Sequence, residues 1–460
     1  MFQGGLLGHI LSVATFLLTL LLVSILIRSR RPPGSTIAWL AVIAMVPYIG
    51  IPFFLLFGRR KIIRSLKNPL YQPRPDRMKS AEGDLSRIRM VLLGSGAPDP
   101  ASNSEFTFLE SGEDTYNRLL KEIRSAKKSI DIAVFIFSRD EVGKAILNEL
   151  SKKAQEGVTV RLLVDAWGSS ILVRPSFGSL KKAGGKVAYF LPLLHIPFRG
   201  NTNLRNHRKV AVFDEQKAWF GGMNFAKEYL GPTPYSRRWK DLSIAIEGGS
   251  VGDLADIFES DWAFATGKAP QKPKRAALAQ FNQERIAQVV ASGPDVLEDS
   301  LYQGLLESCF AAQRRIWIAT PYFIPDDSLI KGLILACSRG VEVRLLTAKK
   351  SNHFFADLSR GTYLRQLIEA GGHVHFLPEM IHAKLTVIDQ EFALIGSANF
   401  DLRSLFYNFE LGVFAYSKAE IDTASAWMQG LLAKSSESYV SPGYFRDLGE
   451  GIGRLFGPLL

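Results

Sequence analysis

The chain has 460 residues, a formal net charge of +12 and 47% hydrophobic residues. That length allows two globular units with sizeable cores, and the basic balance points to an anionic partner: nucleic acid, a phospholipid surface, or both. Two cysteines, Cys309 and Cys337, lack metal-ligand spacing and argue against a disulfide framework.

The N-terminal stretch reads as membrane-embedded. Leu6 to Ile27 is uncharged and almost wholly apolar, long enough to cross a hydrocarbon core as a helix, and Thr36 to Phe57 is a second such run. The first is too long for a signal peptide and no small-residue cleavage site follows it. Between the two lies the basic turn Arg28-Ser29-Arg30-Arg31-Pro32-Pro33-Gly34-Ser35. Residues 1–60 are therefore expected to form a transmembrane helical hairpin. Pro47 and Pro52 should kink its second helix, and a shallow re-entrant insertion is the alternative. The heavier basic cluster follows Phe57 (Arg59, Arg60, Lys61, Arg64, Lys67, Arg74, Arg77 and Lys79), which puts the body of the protein in the cytoplasm. The same residues would hold that body against an anionic membrane surface.

Residues 61–105, rich in Pro, Gly, Ser and charge, read as a basic juxtamembrane linker with some local structure. Regular alternation follows. Asp114-Thr115 caps a helix over Tyr116 to Ala126, Ile130 to Phe137 is a strand, Glu141 to Glu156 a helix, and Val158 to Asp165 a strand. The order recurs: helix Leu301 to Arg314, strand Arg315 to Tyr322, helix Asp327 to Arg339, strand Val341 to Thr347. Gly157-Val158-Thr159-Val160-Arg161-Leu162-Leu163 matches Gly340-Val341-Glu342-Val343-Arg344-Leu345-Leu346. A repeat of this length implies duplicated α/β domains, each a mixed sheet covered by helices. The expected division is 106–268 and 286–442, joined by a linker at 269–285 and followed by an interfacial segment at 443–460. That last segment mixes Arg446 and Arg454 with apolar residues.

Each half carries the same motif, HxKxxxxD. The first runs His207-Arg208-Lys209-Val210-Ala211-Val212-Phe213-Asp214 and the second His382-Ala383-Lys384-Leu385-Thr386-Val387-Ile388-Asp389. Both alternate at period two, so His and Lys share a strand face. An imidazole beside an ammonium suits a phosphodiester: one nitrogen to attack or protonate, one charge to hold phosphoryl oxygens. Each motif is trailed at equal distance by a turn ending in Asn, Gly221-Gly222-Met223-Asn224 and Gly396-Ser397-Ala398-Asn399.

A duplicated HxKxxxxD with a trailing GxxN resembles the phospholipase D superfamily. Other segments are similar to bacterial cardiolipin synthases: the Arg-Arg-Pro turn, Pro47-Tyr48-Ile49-Gly50, Phe57-Gly58-Arg59-Arg60, Thr320-Pro321-Tyr322-Phe323-Ile324-Pro325 and Asn399-Phe400-Asp401-Leu402-Arg403-Ser404. The resemblance implies two α/β sandwiches packed with pseudo-twofold symmetry and a catalytic set of His207, Lys209, Asp214, His382, Lys384 and Asp389, the two aspartates in structural parts. Asn224, Asn399 and Ser397 would bind substrate phosphate, with Gly222 standing where the first half lacks that serine. Glu410 is expected to orient His382 and Asp241 to orient His207. Arg403 is a candidate lipid contact. Neither cofactor nor metal is implied, and His353, His373 and His375 read as ordinary loop and strand residues.

The implied reaction joins two phosphatidylglycerol molecules into cardiolipin with release of glycerol through a phosphohistidine. The implied place is the bacterial cytoplasmic membrane, multi-pass, with the catalytic domains facing the cytoplasm. Phospholipase D-type hydrolysis and a membrane-tethered nuclease are the alternatives. Lipid is favoured over nucleic acid by the apolar ends and by the loop Phe190-Leu191-Pro192-Leu193-Leu194-His195-Ile196-Pro197-Phe198. Nothing in the sequence sets the oligomeric state. By resemblance His207 is the nucleophile and His382 the first proton donor. Positive charge from Arg208, Arg237 and Arg238 around the first half, and Glu379 near His382, argue the same way.

Overall fold

The computed structural model describes residues 2–28, 33–58, 86–170, 172–192, 202–270, 285–437 and 442–455. The basic residues between Arg59 and Lys79, most of the expected joint at 269–285, Leu193–Phe198 of the apolar loop, and residues 456–460 lie outside these. The chain divides into two units, Met1–Ile62 with Pro192–Leu204, and Ile63–Leu191 with Arg205–Leu460.

The first unit contains α1 (Phe2–Arg28), α2 (Pro33–Met45) and α3 (Pro47–Phe57). The second apolar run differs from the expected kinked span. Val46 leaves the helical region (φ −136°, ψ 67°) because the ring of Pro47 disfavours helix in the residue before it. The chain then folds back, and the rings of Trp39 and Phe54 meet at 5.3 Å, where a straight helix would hold them ~22 Å apart. Ile43, Ile51 and Phe54 pack with Leu22 and Leu26 of α1. A Cβ on Gly50 would lie 2.6 Å from the Val42 carbonyl oxygen, so only glycine permits this approach. With 13 and 11 residues, α2 and α3 reach ~20 and ~16 Å against ~30 Å of hydrocarbon. Among the described residues no helix is long and apolar enough to cross a membrane, so the expected pair of spanning helices is not seen.

The second unit opens with α4 (Arg87–Gly94) and β1 (Ala101–Leu109). Next come α5 (Gly112–Ser125), β2 (Ser129–Val134), α6 (Glu141–Gln155), β3 (Thr159–Asp165), α7 (Gly178–Lys182) and β4 (Lys186–Phe190). The first half ends with β5 (Val210–Phe213), β6 (Lys217–Gly221), β7 (Ser243–Gly248) and α8 (Gly249–Thr266). The second half begins with β8 (Ile286–Ser292), α9 (Ser300–Ala311), β9 (Arg315–Ala319), β10 (Phe323–Ile324), α10 (Asp327–Ser338) and β11 (Glu342–Ala348). It continues with α11 (Phe354–Ser359), α12 (Gly361–Glu369), β12 (His373–Leu377), β13 (Leu385–Ile388), β14 (Phe392–Gly396), β15 (Phe400–Asp401), α13 (Leu402–Phe406), β16 (Glu410–Ala415) and α14 (Lys418–Leu432). A final helix, α15 (Tyr444–Leu455), follows.

The expected helices and strands stand close to where the sequence put them. One cap differs: Ser111, not Asp114, is the N-cap of α5, its hydroxyl accepting the orphan N–H of Asp114. The main sheet runs β12-β11-β9-β13-β14-β16-β8-β1-β7-β6-β5-β2-β3-β4. Read outward from the β8–β1 seam, its two arms have the same strand order, which is the duplication seen as topology. The seam is narrow, Ala101 opposite Ala287 and Ser102 opposite Ile286. β1 is thus the first half's counterpart of β8 and starts inside the segment read as linker. In that same segment, Ile88 and Leu92 of α4 are buried in the second half's core. Each half keeps its own apolar core, one around Phe137, Leu162 and Phe213, the other around Phe323, Leu345 and Ile388.

Candidate active site

The motif strands are shorter than the octets. The ladders of β5 and β13 cover only Val210–Phe213 and Leu385–Ile388; ahead of them, the histidine backbones bond across to the other half. His207 N–H donates to Phe409 O at 2.9 Å and Phe409 N–H to Arg205 O at 2.9 Å. The mirror set is His382 N–H to Lys240 O at 2.7 Å and Lys240 N–H to Met380 O at 2.8 Å. Each histidine segment is thereby zipped to the residues just before the other half's acid.

That zipper reverses the expected pairing of acids. His207 Nδ1 lies 2.9 and 3.2 Å from the two carboxylate oxygens of Glu410, and His382 Nδ1 lies 2.8 Å from Asp241 Oδ2. The sequence reading had kept each acid with its own half. The backbone bridges between halves place it beside the opposite ring instead. Both histidines and both acids are buried. With Nδ1 facing a carboxylate, each ring turns Nε2 away from its acid, and on His382 that nitrogen lies 3.1 Å from Lys384 Nζ.

Ser397 and Gly222 hold equivalent places and act on these acids. The Ser397 hydroxyl donates to Glu410 Oε2 and accepts from Leu411 N–H at 3.0 Å, so it braces the acid, where the sequence reading had it bind phosphate. On Gly222 a Cβ would fall 2.2 Å from Asp241 Oδ1. The first half therefore needs glycine where the second uses serine, because its carboxylate occupies that space.

The lysines stand beside their rings. Lys384 Nζ lies 2.7 Å from His382 Nδ1 and 3.1 Å from Nε2, while Lys209 Nζ donates to His207 O at 2.7 Å. Asn224 Oδ1 accepts from Ile136 N–H at 3.0 Å, which leaves its NH2 as the donor end. Asn399 is buried beside Asp401, and its Oδ1 has no hydrogen-bond partner. Arg403 sits near Asp401, Arg205 and Asp165, its pKa lowered by burial and raised in part by Asp401.

Asp214 and Asp389 do not reach the rings' acids; they tie strands together. Asp214 accepts from the N–H groups of Lys127, Lys128 and Ser129, and Asp389 from those of Gln313, Arg314 and Arg315. Both adopt left-handed backbone, φ 53° and 47°, which a short polar residue tolerates.

Burial pushes the His207 imidazole down to about 4, against an upward pull from Glu410. His382 is pushed well below its usual value by burial and by Lys384, Lys209 and His207. Burial brings Lys384 down to about 8 and lifts Asp241 to about 6. For Glu410, burial pulls upward, but facing His207, Lys209 and the Ser397 hydroxyl hold it below the usual carboxylate value. The charge argument for the order of the histidines is not supported. Arg208 is engaged by Asp261 and Asp295 and Arg238 by Glu113, and it is His382, not His207, whose proton the neighbouring cations oppose most.

Several groups carried no sequence signal. Phe135 packs edge-on to His207 at 5.0 Å, and Tyr229 and Trp239 pack on His382 at 5.0 and 5.5 Å. Arg208, between His207 and Lys209, was legible only as a positive charge beside the first histidine. Its side chain is fully buried, donating to Asp261 at 2.5 Å, Asp295 at 2.8 Å and the Glu410 carbonyl at 3.0 Å. His373 and His375 stack and face Glu437 at the sheet edge, away from this cluster.

Chemically, the cluster offers two imidazoles, two amides and two lysine amines, Lys209 too being pushed well below its ordinary value by burial. Residues 119–262 and 305–432 match the family described as "Cardiolipin synthase, PLD-like domain", and residues 16–59 match "Phospholipase_D-nuclease N-terminal". A cardiolipin synthase of Listeria welshimeri is 31% identical over 99% of this chain and 100% of its own length. The major cardiolipin synthase ClsA of Bacillus subtilis is 31% identical over 98% and 99%. The crystal structure of phosphatidylserine synthase from Haemophilus influenzae shares the fold, with a TM-score of 0.63 at 15% identity, covering 82% of this chain and 100% of that one.

Proposed function

This chain belongs to the cardiolipin synthase, phospholipase D-like family, and from that premise we propose that it joins two phosphatidylglycerol molecules into cardiolipin and releases glycerol, through a phosphohistidine. The observation that carries the mechanism is the crossed pairing of His207 with Glu410 and His382 with Asp241. Two imidazoles oriented by separate acids can divide roles that one cannot hold at once, attack needing a neutral ring and donation a charged one.

His207 is the nucleophile. Glu410 keeps the proton on Nδ1, so the Nε2 lone pair attacks phosphorus. A P–N bond forms, the P–O bond to glycerol breaks, and the departing oxygen takes a proton from His382 Nε2. The arriving phosphodiester anion supplies the negative charge that lets His382 hold that proton beside two lysines. In the second step neutral His382 accepts the proton of a hydroxyl on the second phosphatidylglycerol. Its oxygen attacks phosphorus, the P–N bond breaks, and His207 is restored. Lys209, Lys384, Asn224 and Asn399 stabilise the phosphoryl oxygens in both transition states. One phosphodiester replaces another, so no nucleotide is needed.

The enzyme is held to the bilayer by its N-terminal helices, whose Phe16, Leu17, Ile37, Met45, Tyr48 and Phe53 are exposed. Because α3 folds back on α2, the apolar run leaves the membrane on the face it entered. The heavier basic cluster in the sequence beyond Phe57 favours the cytoplasmic side for the catalytic body.

The test is purified protein in bilayers of headgroup-labelled phosphatidylglycerol. Cardiolipin and free glycerol in equal amounts support the reading. Phosphatidic acid as the sole product would make the enzyme a hydrolase, and nucleic-acid cleavage without lipid turnover would overturn the proposal.

A further inference from the structure

The histidines meet at the ends of β2 and β9, and the loops that follow the neighbouring parallel strands, β3 and β11, leave from those same ends. In the first half Asp165, the last residue of β3, binds both sides of this region. Its Oδ1 accepts from the N–H groups of Trp167 and Gly168, and its Oδ2 from that of Asn206, next to His207. Gly168 packs against Phe135, the ring that abuts His207; a Cβ there would be 2.5 Å from the Phe135 carbonyl oxygen. The loop is thus firmly anchored beside the site, yet its side chains Trp167, Leu172 and Val173 are 62%, 84% and 43% exposed.

The second half repeats the arrangement with different residues. Asn352 accepts from the Tyr322 hydroxyl at 2.7 Å, and Tyr322 belongs to the segment that leads from β9 past Asn399. Two residues on, Phe354 and Phe355 are 73% and 53% exposed. Helix α15 packs against α11, which begins with these phenylalanines, and exposes Tyr444 and Leu448. Large apolar side chains held outward on well-tethered loops in both halves call for an apolar or amphipathic partner. The charge beside them selects which. Lys349 and Lys350 are exposed close in sequence to Phe354, and Arg237 is exposed in the loop leading to Trp239; Glu379 and Asp447 are exposed opposing charges, the latter paired with Arg365.

We propose that these two apolar knuckles, Trp167-Leu172-Val173 and Phe354-Phe355, insert into the interface of an anionic phospholipid bilayer and hold the mouth of the active site in the membrane plane, separately from the N-terminal helices. This rests on the reading of the substrate as membrane phospholipid. Aromatic and aliphatic side chains enter the headgroup–acyl boundary while adjacent lysines meet lipid phosphate, the arrangement by which peripheral elements bind such surfaces. The consequence is kinetic: long-chain lipid would be drawn from the bilayer without its tails crossing water.

Two measurements on the full-length protein in phosphatidylglycerol vesicles test this. The first is tryptophan quenching by lipids brominated near the headgroup end of the chain, taken as wild type minus Trp167→Phe to isolate one residue. Quenching of that difference signal is expected, and its absence overturns the proposal whatever the protein's activity. The second compares wild type with a Phe354→Ser, Phe355→Ser double variant. We expect the apparent KM for bilayer phosphatidylglycerol to rise about tenfold or more while turnover of a short-chain, monomeric phosphatidylglycerol stays unchanged. Equal effects on both substrates, or none on either, would overturn the proposal. Quenching without turnover of any phosphatidylglycerol would leave the membrane surface standing and sink the functional reading instead.

Discussion

At the scale of single residues, the site's protonation sets its pH range. Asp241, lifted to about 6, must be ionised to orient His382, and Lys384, brought down to about 8, must be charged to hold phosphoryl oxygen. Activity is therefore lost as pH falls through the first value and as it rises through the second. A bell-shaped kcat/KM profile with limbs near those values is expected in the free enzyme, and Lys384→Arg should move the alkaline limb upward. A profile flat from pH 5 to 9 would contradict this. The Gly222/Ser397 difference gives a second prediction. Ser397→Ala removes a hydrogen bond to a charged group, worth ~1.5–3 kcal/mol, so kcat should fall roughly 10- to 100-fold with little change in KM. Gly222→Ser should do at least as much harm by displacing Asp241, although it copies the other half. Wild-type turnover in Gly222→Ser would show that Asp241 does not need that space.

At the scale of elements, what was legible was what depends on local pattern. Period-two alternation located β5 and β13, helical spacing located α5, the internal repeat placed α9 and α10, and the two HxKxxxxD motifs marked the histidines and lysines that stand together, while their aspartates tie strands elsewhere. What failed depends on long-range pairing. The acids were given to the wrong histidines because nothing local records that the segment before Glu410 bonds to the segment before His207. β1 was hidden in a polar stretch because its partners lie far along the chain. For the second apolar run the sequence points to a helix kinked at Pro47 and Pro52, with a shallow re-entrant insertion as the alternative, but local pattern does not show that the break at Val46 lets Phe54 return to Trp39. Arg208 tests the long-range pairing directly. It joins the first motif to Asp295 and the Glu410 carbonyl of the second half, where the second motif has Ala383. Removing it leaves buried carboxylates uncompensated, so Arg208→Ala should destabilise the body by about 3–5 kcal/mol. Arg208→Ala with Asp295→Asn should recover part of that loss. Thermal unfolding checks both, and an unchanged midpoint in the single variant would remove Arg208 from the interface between halves.

At the scale of the molecule, the duplication is what makes the chemistry available. Each half supplies a histidine, a lysine and an amide, and each supplies the acid that orients the other's ring, so neither half holds a complete site. The proposed anchoring by the N-terminal helices, with the heavier basic cluster in the sequence beyond Phe57, predicts that the body stays on the cytoplasmic face. A cysteine introduced at Gly430, where a side chain meets no neighbour, should react in intact cells only with a membrane-permeant reagent, and labelling by an impermeant one would invert the topology. The central claim is that the two histidines act on one phosphodiester by turns, His207 as nucleophile and His382 as acid and then base. The measurement that tests it most directly uses His382→Ala with a phosphatidyl ester whose leaving group needs no acid. His207 can then attack, and without His382 as a base the adduct persists. Mass spectrometry of the quenched protein should find a phosphatidyl group on His207, and the reciprocal His207→Ala protein should carry none. An adduct on His382 in the reciprocal protein with none on His207, or no adduct in either while wild type turns over, would contradict the account.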